Sequence, residues 1–244
     1  MRIAVIGTGL IGSQVVRELV AAGHDAAGHS RSTGIDLLTG AGLDEAVRGA
    51  RAVVDVSNSP TFDEASIDFF RTSAGHLLAA AAKAGVGHIV VLSIVGVDRV
   101  PGLAYYRAKT LQENLVKAGP VPYSIVRATQ FMEFVPAVLD ATTDGDVVRL
   151  PSTPVQPISS AEVAAEVAEV AAGDPLRGTR GIAGPEVFPL DELGRMTLEA
   201  AGDGRRVVTD DTAGMFAAVE GDVLTAPEGA RLAATRYRDW LRTR

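Results

Sequence analysis

The sequence predicts an α/β protein: a doubly wound parallel sheet of the Rossmann type with a small C-terminal substrate lobe. Short runs rich in β-branched residues alternate with longer amphipathic patterns through roughly the first 130 residues. Such alternation is typical of repeated βαβ units around a parallel sheet. A glycine-rich turn joins the first strand to the first helix, and the alternation weakens after residue 130. These three observations define the predicted architecture.

The predicted strands are short, and the three helices predicted within the first 130 residues each end near a glycine, a common helix stop. The strands are 3–7, 24–30, a short one at 34–36, 52–57, 88–93, 123–128 and 180–184. The helices are 10–23, 66–85, 104–119, 161–173, 190–202 and a C-terminal helix within 228–243. We therefore predict a dinucleotide-binding domain over residues 1–130. Residues 131–244 are predicted to form a lobe that packs on it and is not autonomous.

The first turn has the pattern G-x-G-x-x-G at Gly7, Gly9 and Gly12. In a dinucleotide site, the first glycine permits a tight turn and the second lets the backbone approach a pyrophosphate. The third allows close packing of helix and strand, with phosphate at the helix N-terminus. The alternative is a purely structural turn. On the first reading the cofactor-binding residues of this loop are Gly7, Thr8, Gly9, Leu10, Ile11 and Gly12.

The end of the second strand predicts NADP(H) as the cofactor. An acidic residue there usually binds the ribose 2′-hydroxyl of NAD. Ser30, Arg31 and Ser32 occupy this position instead. The planar fork of Arg31 can pair with a 2′-phosphate, to which the two hydroxyls can donate. The alternative is that Arg31 lies on a solvated loop without a ligand.

A second group of residues indicates proton transfer. Strand 88–93 ends at Ser93, and Tyr105 and Lys109 follow four residues apart at the start of a predicted helix. At that spacing both side chains project from one helical face. A lysine charge beside a phenol favours the phenolate, so the Tyr105 proton becomes easier to donate and retrieve. Alternatively, Tyr105 is a packing aromatic and Lys109 an ordinary exposed lysine. We assign packing to Tyr106, which lacks the four-residue spacing.

With these residues together, the chain resembles the atypical, NmrA-like NAD(P)H-binding branch of the short-chain dehydrogenase/reductase superfamily. The resemblance covers nearly the whole chain and includes "YYRAK", "VVLSIVGVD", "QPISSAEVAAEVAEV" and "IAGPEVFPLDEL". It implies that Tyr105 is the acid/base, that Lys109 holds the nicotinamide ribose and lowers the tyrosine pKa, and that Ser93 steadies the substrate oxygen. One departure is the glycine spacing, since most of this branch has G-x-x-G-x-x-G.

The implied activity is hydride transfer between NADP(H) and a small carbonyl- or alcohol-type substrate. The branch also includes members that bind dinucleotide without catalysis, so a redox-sensing regulator is the alternative. An isomerase with tightly held cofactor is a third reading. A sugar nucleotide is the least favoured substrate, because the chain looks short for the large second lobe of epimerases.

Other candidates follow the predicted strands. Ser57 and Asn58 lie where members of the family commonly line the cofactor, although a polar turn is the alternative for both residues. Asp36 lies where relatives contact the adenine of the cofactor. After strand 123–128, Gln130, Phe131 and Phe134 are candidates for a substrate wall, with ordinary core packing as the alternative.

The composition limits the classes of partner and ligand that the protein can bind. The formal net charge of −7 argues against nucleic acid, and the absence of cysteine excludes disulfides and thiolate metal ligands. Four scattered histidines predict no metal site. No apolar run is long enough for a membrane span. We expect a cytoplasmic protein, a monomer or homodimer, with a small-molecule substrate as its partner.

Overall fold

The computed structural model describes residues 1–243. The chain forms two compact units. The first comprises Met1–Arg127 and Ala161–Arg180, and the second comprises Ala128–Ser160 and the chain from Gly181 onward. The predicted division at residue 130 did not anticipate that the helix after residue 160 groups with the first unit.

The strands are β1 (Arg2–Ile6), β2 (Asp25–His29), β3 (Ala52–Asp55), β4 (His88–Ile94), β5 (Tyr123–Ala128), β6 (Thr143–Asp144), β7 (Val147–Leu150), β8 (Pro154–Val155), β9 (Gly178–Ala183), β10 (Phe188–Pro189), β11 (Arg206–Thr209) and β12 (Arg231–Leu232). The helices are α1 (Leu10–Ala21), α2 (Leu43–Val47), α3 (Ala65–Lys83), α4 (Ala104–Ala118), α5 (Val135–Ala141), α6 (Ser160–Ala172), α7 (Leu190–Ala201) and α8 (Tyr237–Leu241).

Seven strands form a parallel sheet in the order β12-β9-β5-β4-β3-β1-β2. The predicted Rossmann-like fold is therefore confirmed. β1 pairs with β2 on one side and with β3 on the other, so that Ile6 lies opposite both His29 and Asp55. The strand order reverses between β1 and β3. In doubly wound sheets, ligands bind beyond the carboxyl ends of the strands at such a switch point.

Strands β1 and β3 of the first unit are apolar on both faces and are buried. β3 is buried along its whole length, and β1 is buried after its first residue. Helix α1 buries Ile11, Val15 and Leu19, the apolar face that its sequence predicts. This is the usual composition of parallel strands with helices on both faces. Because the strands themselves are occupied by packing, the polar residues that follow β1, β3 and β4 are the candidates for ligand binding and catalysis.

The second unit contains a three-stranded sheet, β11-β7-β6, and a two-stranded one, β10-β8. Helix α7 packs closely, since a Cβ atom on Gly194 would lie 2.5 Å from a methyl group of Leu150. Helix α8 is anchored by Tyr237, whose ring stacks on Trp240 and whose hydroxyl lies 2.7 Å from Thr197 Oγ1.

One predicted strand is wrong, and the predicted C-terminal helix is shorter than its sequence pattern. Residues 34–36 form a turn, because Gly34 has φ of +92° and the Ile35 amide donates to the carbonyl of Ser30. The C-terminal helix is confined to α8, because Arg231 and Leu232 pair with β9 as an edge strand instead of continuing a helix. In both places, local turn chemistry or strand pairing overrides the pattern of the sequence.

Candidate active site

The glycine loop lies at the end of β1, at the switch point of the sheet. Gly7 has φ of +100°, and a Cβ atom there would lie 2.9 Å from the carbonyl oxygen of Val56. A Cβ atom on Gly12 would lie 1.8 Å from the carbonyl oxygen of Gly7. A Cβ atom on Gly9 would meet no atom within 4 Å. Gly7 and Gly12 thus serve the turn and the packing of α1, while the surface over Gly9 is open.

The segment after β2 forms a 3-10 turn over Arg31–Thr33. Ser30 caps this turn, and the hydroxyls of Ser30 and Ser32 lie 2.8 Å apart. The Arg31 side chain is exposed and has no ion-pair partner within residues 1–243. The carboxylate of Asp36 accepts a hydrogen bond from the Leu38 amide at 2.8 Å, so it stabilises its own turn.

Tyr105 lies in the first turn of α4, and its ring contacts two phenylalanines. The ring of Phe62 contacts it edge-on at a centroid distance of 4.9 Å, and the ring of Phe70 lies at 6.1 Å. The Tyr105 hydroxyl donates to Asn58 Oδ1 at 2.5 Å. Burial raises the pKa of Tyr105 above its usual value, so the phenol is protonated at neutral pH. The neighbouring Tyr106 is almost fully buried, as a packing residue would be.

Lys109 projects from the same face of α4, because its Nζ lies 4.7 Å from the centre of the Phe70 ring that also adjoins Tyr105. Its ammonium donates to the carbonyl oxygen of Leu92 at 2.8 Å and to Gln112 Oε1. Gln112 Nε2 in turn donates to Asp55 Oδ2 at 2.8 Å. The third donor of the ammonium is left for another acceptor.

Burial lowers the pKa of Lys109 to about 8, and the carboxylates of Asp55 and Glu113 oppose that fall. The sequence predicts that Lys109 lowers the pKa of Tyr105. In the structure, burial of Tyr105 raises that pKa, and the Lys109 ammonium donates to Leu92 and Gln112.

The Ser93 hydroxyl is not brought to Tyr105. Ser93 is buried on β4 between the half-buried residues Leu92 and Ile94, and its oxygen makes no hydrogen bond within the described chain. It lies close enough to the Glu113 carboxylate to help lower the pKa of that group. The alternation of side chains along a strand explains this orientation, and a supporting catalytic role for Ser93 remains a prediction.

A buried ion cluster fixes the other side of α4. Arg127 on β5 donates through Nε and Nη2 to the two oxygens of Glu113, at 2.8 and 2.7 Å. Arg127 also pairs with Asp98, and Lys117 pairs with Glu113. Burial opposes ionisation of Glu113, but the hydrogen bonds from Arg127 and Lys117, together with the nearby Ser93 hydroxyl, hold its pKa below the usual value. This cluster orients the helix that carries Tyr105 and Lys109.

The predicted substrate residues belong to the second unit. Both polar atoms of the Gln130 side chain are hydrogen-bonded. Its Nε2 donates to the Leu224 carbonyl, and its Oε1 accepts from the backbone amide of Gln156. The rings of Phe131 and Phe134 stack at 5.4 Å, and Phe134 is 51% exposed. The contacts of Gln130 are structural, while Phe134 offers an apolar surface; their roles with a substrate remain predictions.

Sequence reasoning missed Asp55, Gln112, Phe62 and Phe70. Gln112 carries a signal that was available, since it lies three residues after Lys109 on the same helical face. Among residues 1–243, no cluster of histidine, aspartate and glutamate could hold a metal ion. None of the helices described combines the length and the apolar character needed to traverse a lipid bilayer.

The architecture and the glycine loop define a class of proteins that bind nicotinamide dinucleotides. A family model described as NAD(P)H-binding matches residues 7–174, well over half of the chain. The protein therefore belongs to this NAD(P)H-binding family. No curated protein sequence matches the chain.

Solved structures share the fold at low sequence identity. MoeE5 in complex with UDP-glucuronic acid and NAD is 20% identical, with a TM-score of 0.72; the alignment covers 100% of this chain and 97% of that chain. A dTDP-4-dehydrorhamnose reductase from Clostridium acetobutylicum is 18% identical, with a TM-score of 0.71 and coverage of 86% and 84%. A UDP-glucose 4-epimerase from Thermus thermophilus, in complex with NAD, is 18% identical, with a TM-score of 0.69 and coverage of 86% of each chain.

Proposed function

We propose that the protein is an NADP(H)-dependent oxidoreductase that transfers a hydride to or from a small carbonyl- or alcohol-type substrate. The observation that carries this proposal is the pairing of Tyr105 with Lys109 on one face of α4. Tyr105 presents a protonated, partly exposed phenol, and Lys109 keeps a buried ammonium beside the carboxyl end of β4. Lysine is rarely buried to this degree, so the buried Lys109 beside Tyr105 supports a functional role.

The glycine loop fits a dinucleotide. The surface over Gly9 is open, and helix α1 begins there without a side-chain cap. The first amide groups of α1 therefore remain available to a pyrophosphate, which the helix dipole also favours. Thr8, Leu10 and Ile11 would line this approach. Arg31, with Ser30 and Ser32 beside it, would hold a 2′-phosphate.

When bound, the nicotinamide supplies or accepts the hydride. The residues of the chain manage the proton and the position of the substrate. Tyr105 donates its proton to the substrate oxygen during reduction and takes it back during oxidation. Lys109, fixed by Leu92 and Gln112, offers its remaining donor to the nicotinamide ribose. The test is consumption of NADPH with a panel of ketones, quinones, imines and sugar nucleotides.

Sugar nucleotides belong in this panel. Contrary to the expectation from its length, the chain spans 97% of MoeE5, whose structure contains UDP-glucuronic acid. At 20% identity, the likeness to MoeE5 shows a shared fold alone. The substrate class must therefore be established by the assay.

A non-catalytic, NADP(H)-binding redox sensor is the second candidate. It is favoured by the Ser93 hydroxyl, which is buried without a hydrogen bond instead of joining Tyr105. Tight NADPH binding without turnover of any compound in the panel would support this candidate over the enzyme.

Replacing Arg31 with alanine tests the preference for NADP(H). We expect wild-type protein to bind NADPH more tightly than NADH in calorimetric titrations. Arg31→Ala should remove about 1.5–3 kcal/mol of this difference, since the lost hydrogen bonds involve charged groups. Arg17→Ala, at an exposed position on α1, is the control and should change neither affinity. Equal affinity of the wild type for both cofactors would contradict the assignment to NADP(H).

Cofactor affinity should also depend on pH through Lys109. Because burial lowers its pKa to about 8, the side chain is charged below that pH and becomes neutral above it. NADPH should therefore bind more weakly as the pH rises above 8, where the ribose loses a charged donor. In Lys109→Met, binding should be weak throughout and should no longer change around pH 8. A wild-type dissociation constant that stays constant across this range would refute the role of Lys109.

A further inference from the structure

The contact between Tyr105 and Asn58 joins two parts of the chain that sequence reasoning kept separate. Asn58 was predicted to line the cofactor path, and in the structure its Oδ1 accepts a hydrogen bond from the Tyr105 hydroxyl at 2.5 Å. Within residues 1–243, the Asn58 side chain makes no other hydrogen bond. Asn58 is exposed and Tyr105 is partly exposed. A substrate oxygen can therefore reach the same hydroxyl.

The loop that carries Asn58 is held on both sides. Before it, the Ser57 amide and hydroxyl donate to Asp55 Oδ1 at 3.0 and 2.6 Å. After it, the Ser59 hydroxyl accepts from the Thr61 amide at 3.3 Å. These contacts place the Asn58 backbone while its terminal amide remains free to turn. Rotation about the last side-chain bond of asparagine has two broad minima that exchange oxygen and nitrogen.

The charged groups near Tyr105 have other partners. Lys109, on the same helix, donates to Leu92 and Gln112. Arg107 pairs with Glu64, on the segment before α3. The Tyr105 ring also contacts the rings of Phe62 and Phe70, which are apolar. Asn58 is thus the polar group that acts directly on the reacting hydroxyl.

We propose that Asn58 is a positioning residue that serves both protonation states of Tyr105, as acceptor from the phenol and, after a half-turn of its amide, as donor to the phenolate. This inference rests on the proposed function and gives Asn58 a part in proton transfer instead of cofactor binding. A carboxylate could only accept, and an ammonium could only donate. An amide can do both without changing its charge.

The proton-transfer step requires both roles. In reduction, the carbonyl carbon gains a hydride from reduced nicotinamide, and the substrate oxygen takes the Tyr105 proton. The O–H bond of Tyr105 breaks, its electron pair stays on the phenolate oxygen, and water later returns a proton. Hydrogen bonds to charged groups are stronger than those between neutral groups. The amide therefore stabilises the phenolate more than the phenol and lowers the pKa of Tyr105.

The experiment measures this pKa directly. Tyr105 is replaced by 3,5-difluorotyrosine, whose more acidic phenol titrates in an accessible range, and fluorine NMR follows its ionisation in the full chain. We expect Asn58→Leu to raise the pKa by about one unit, the difference between a charged and a neutral hydrogen bond. Asn58→Asp should raise it further, because a carboxylate repels the phenolate. The control is Asn114→Leu at the other asparagine of the chain, exposed on α4, which should leave the pKa unchanged.

Kinetics and binding provide the second measurement, made on protein with the natural Tyr105. Asn58→Leu should lower kcat about tenfold, in proportion to the pKa change, and leave the dissociation constant of NADPH unchanged. An unchanged pKa in Asn58→Leu overturns the inference. So does a tenfold loss of NADPH affinity without a pKa change, which would return Asn58 to the cofactor site. The titration needs no turnover, so a failed substrate panel overturns the proposed function separately.

Discussion

Replacing Tyr105 with phenylalanine is expected to lower turnover by about 10²–10⁴, the range that general acid–base catalysis contributes. The ring and its contacts with Phe62 and Phe70 remain, while the hydroxyl that donates to Asn58 is lost. NADPH affinity should barely change, because Lys109 and the glycine loop are unaltered. The measurements are steady-state NADPH consumption and calorimetric titration of NADPH into both proteins.

Tyr106→Phe is the matched control for this variant. It removes the hydroxyl of the adjacent tyrosine. Tyr106 is buried and lies three residues before Lys109, whereas Tyr105 lies four residues before it. It should change neither turnover nor NADPH affinity appreciably. Wild-type turnover in Tyr105→Phe on any substrate would disprove the acid–base role.

Replacing Glu113 with alanine is expected to lower the free energy of unfolding by about 3–5 kcal/mol, the cost of breaking a buried ion pair. Glu113 is fully buried and accepts two hydrogen bonds from Arg127, whose guanidinium would be left with the partly exposed Asp98 alone. Glu45→Ala removes an exposed partner of Arg48 and should cost only about 0–1 kcal/mol. Urea titrations followed by circular dichroism measure both.

The effect of Glu113 should depend on pH in a defined direction. Its pKa in the folded protein is held below the unfolded value. Its contribution to stability is therefore complete above the unfolded pKa and is lost as the pH falls through the folded pKa. The difference between the wild type and Glu113→Ala should shrink in acid. A difference that stays the same, or one that is negligible at neutral pH, would show that this cluster does not stabilise α4.

Several features of the molecule follow from short-range patterns. The glycine spacing after β1 predicts a tight turn followed by close packing of helix α1. The structure contains both, in the positive φ of Gly7 and the close backbone contact at Gly12. The four-residue spacing of Tyr105 and Lys109 placed both on one helical face, because the geometry of a helix is set by consecutive residues. The same periodicities predicted the strands and helices of the first unit.

The second unit was predicted less well. Its strands β6, β8, β10 and β12 are two residues long, too short to show any alternation. They exist because a partner strand is present, as in the pairing of Arg231 with Ile182. The grouping of residues 161–180 with the first unit likewise depends on contacts that no local pattern reveals.

By itself, the sequence determined the Rossmann-like sheet, the glycine loop and the pair formed by Tyr105 and Lys109, since each depends on residues a few positions apart. The tertiary structure decided which groups these side chains meet. Asn58 and Tyr105 are separated by 47 positions, and Asp55 and Gln112 by 57. Their contacts arise only when β3 and α4 pack in one unit. Burial, which sets the pKa values of Tyr105 and Lys109, is also a property of the packed chain.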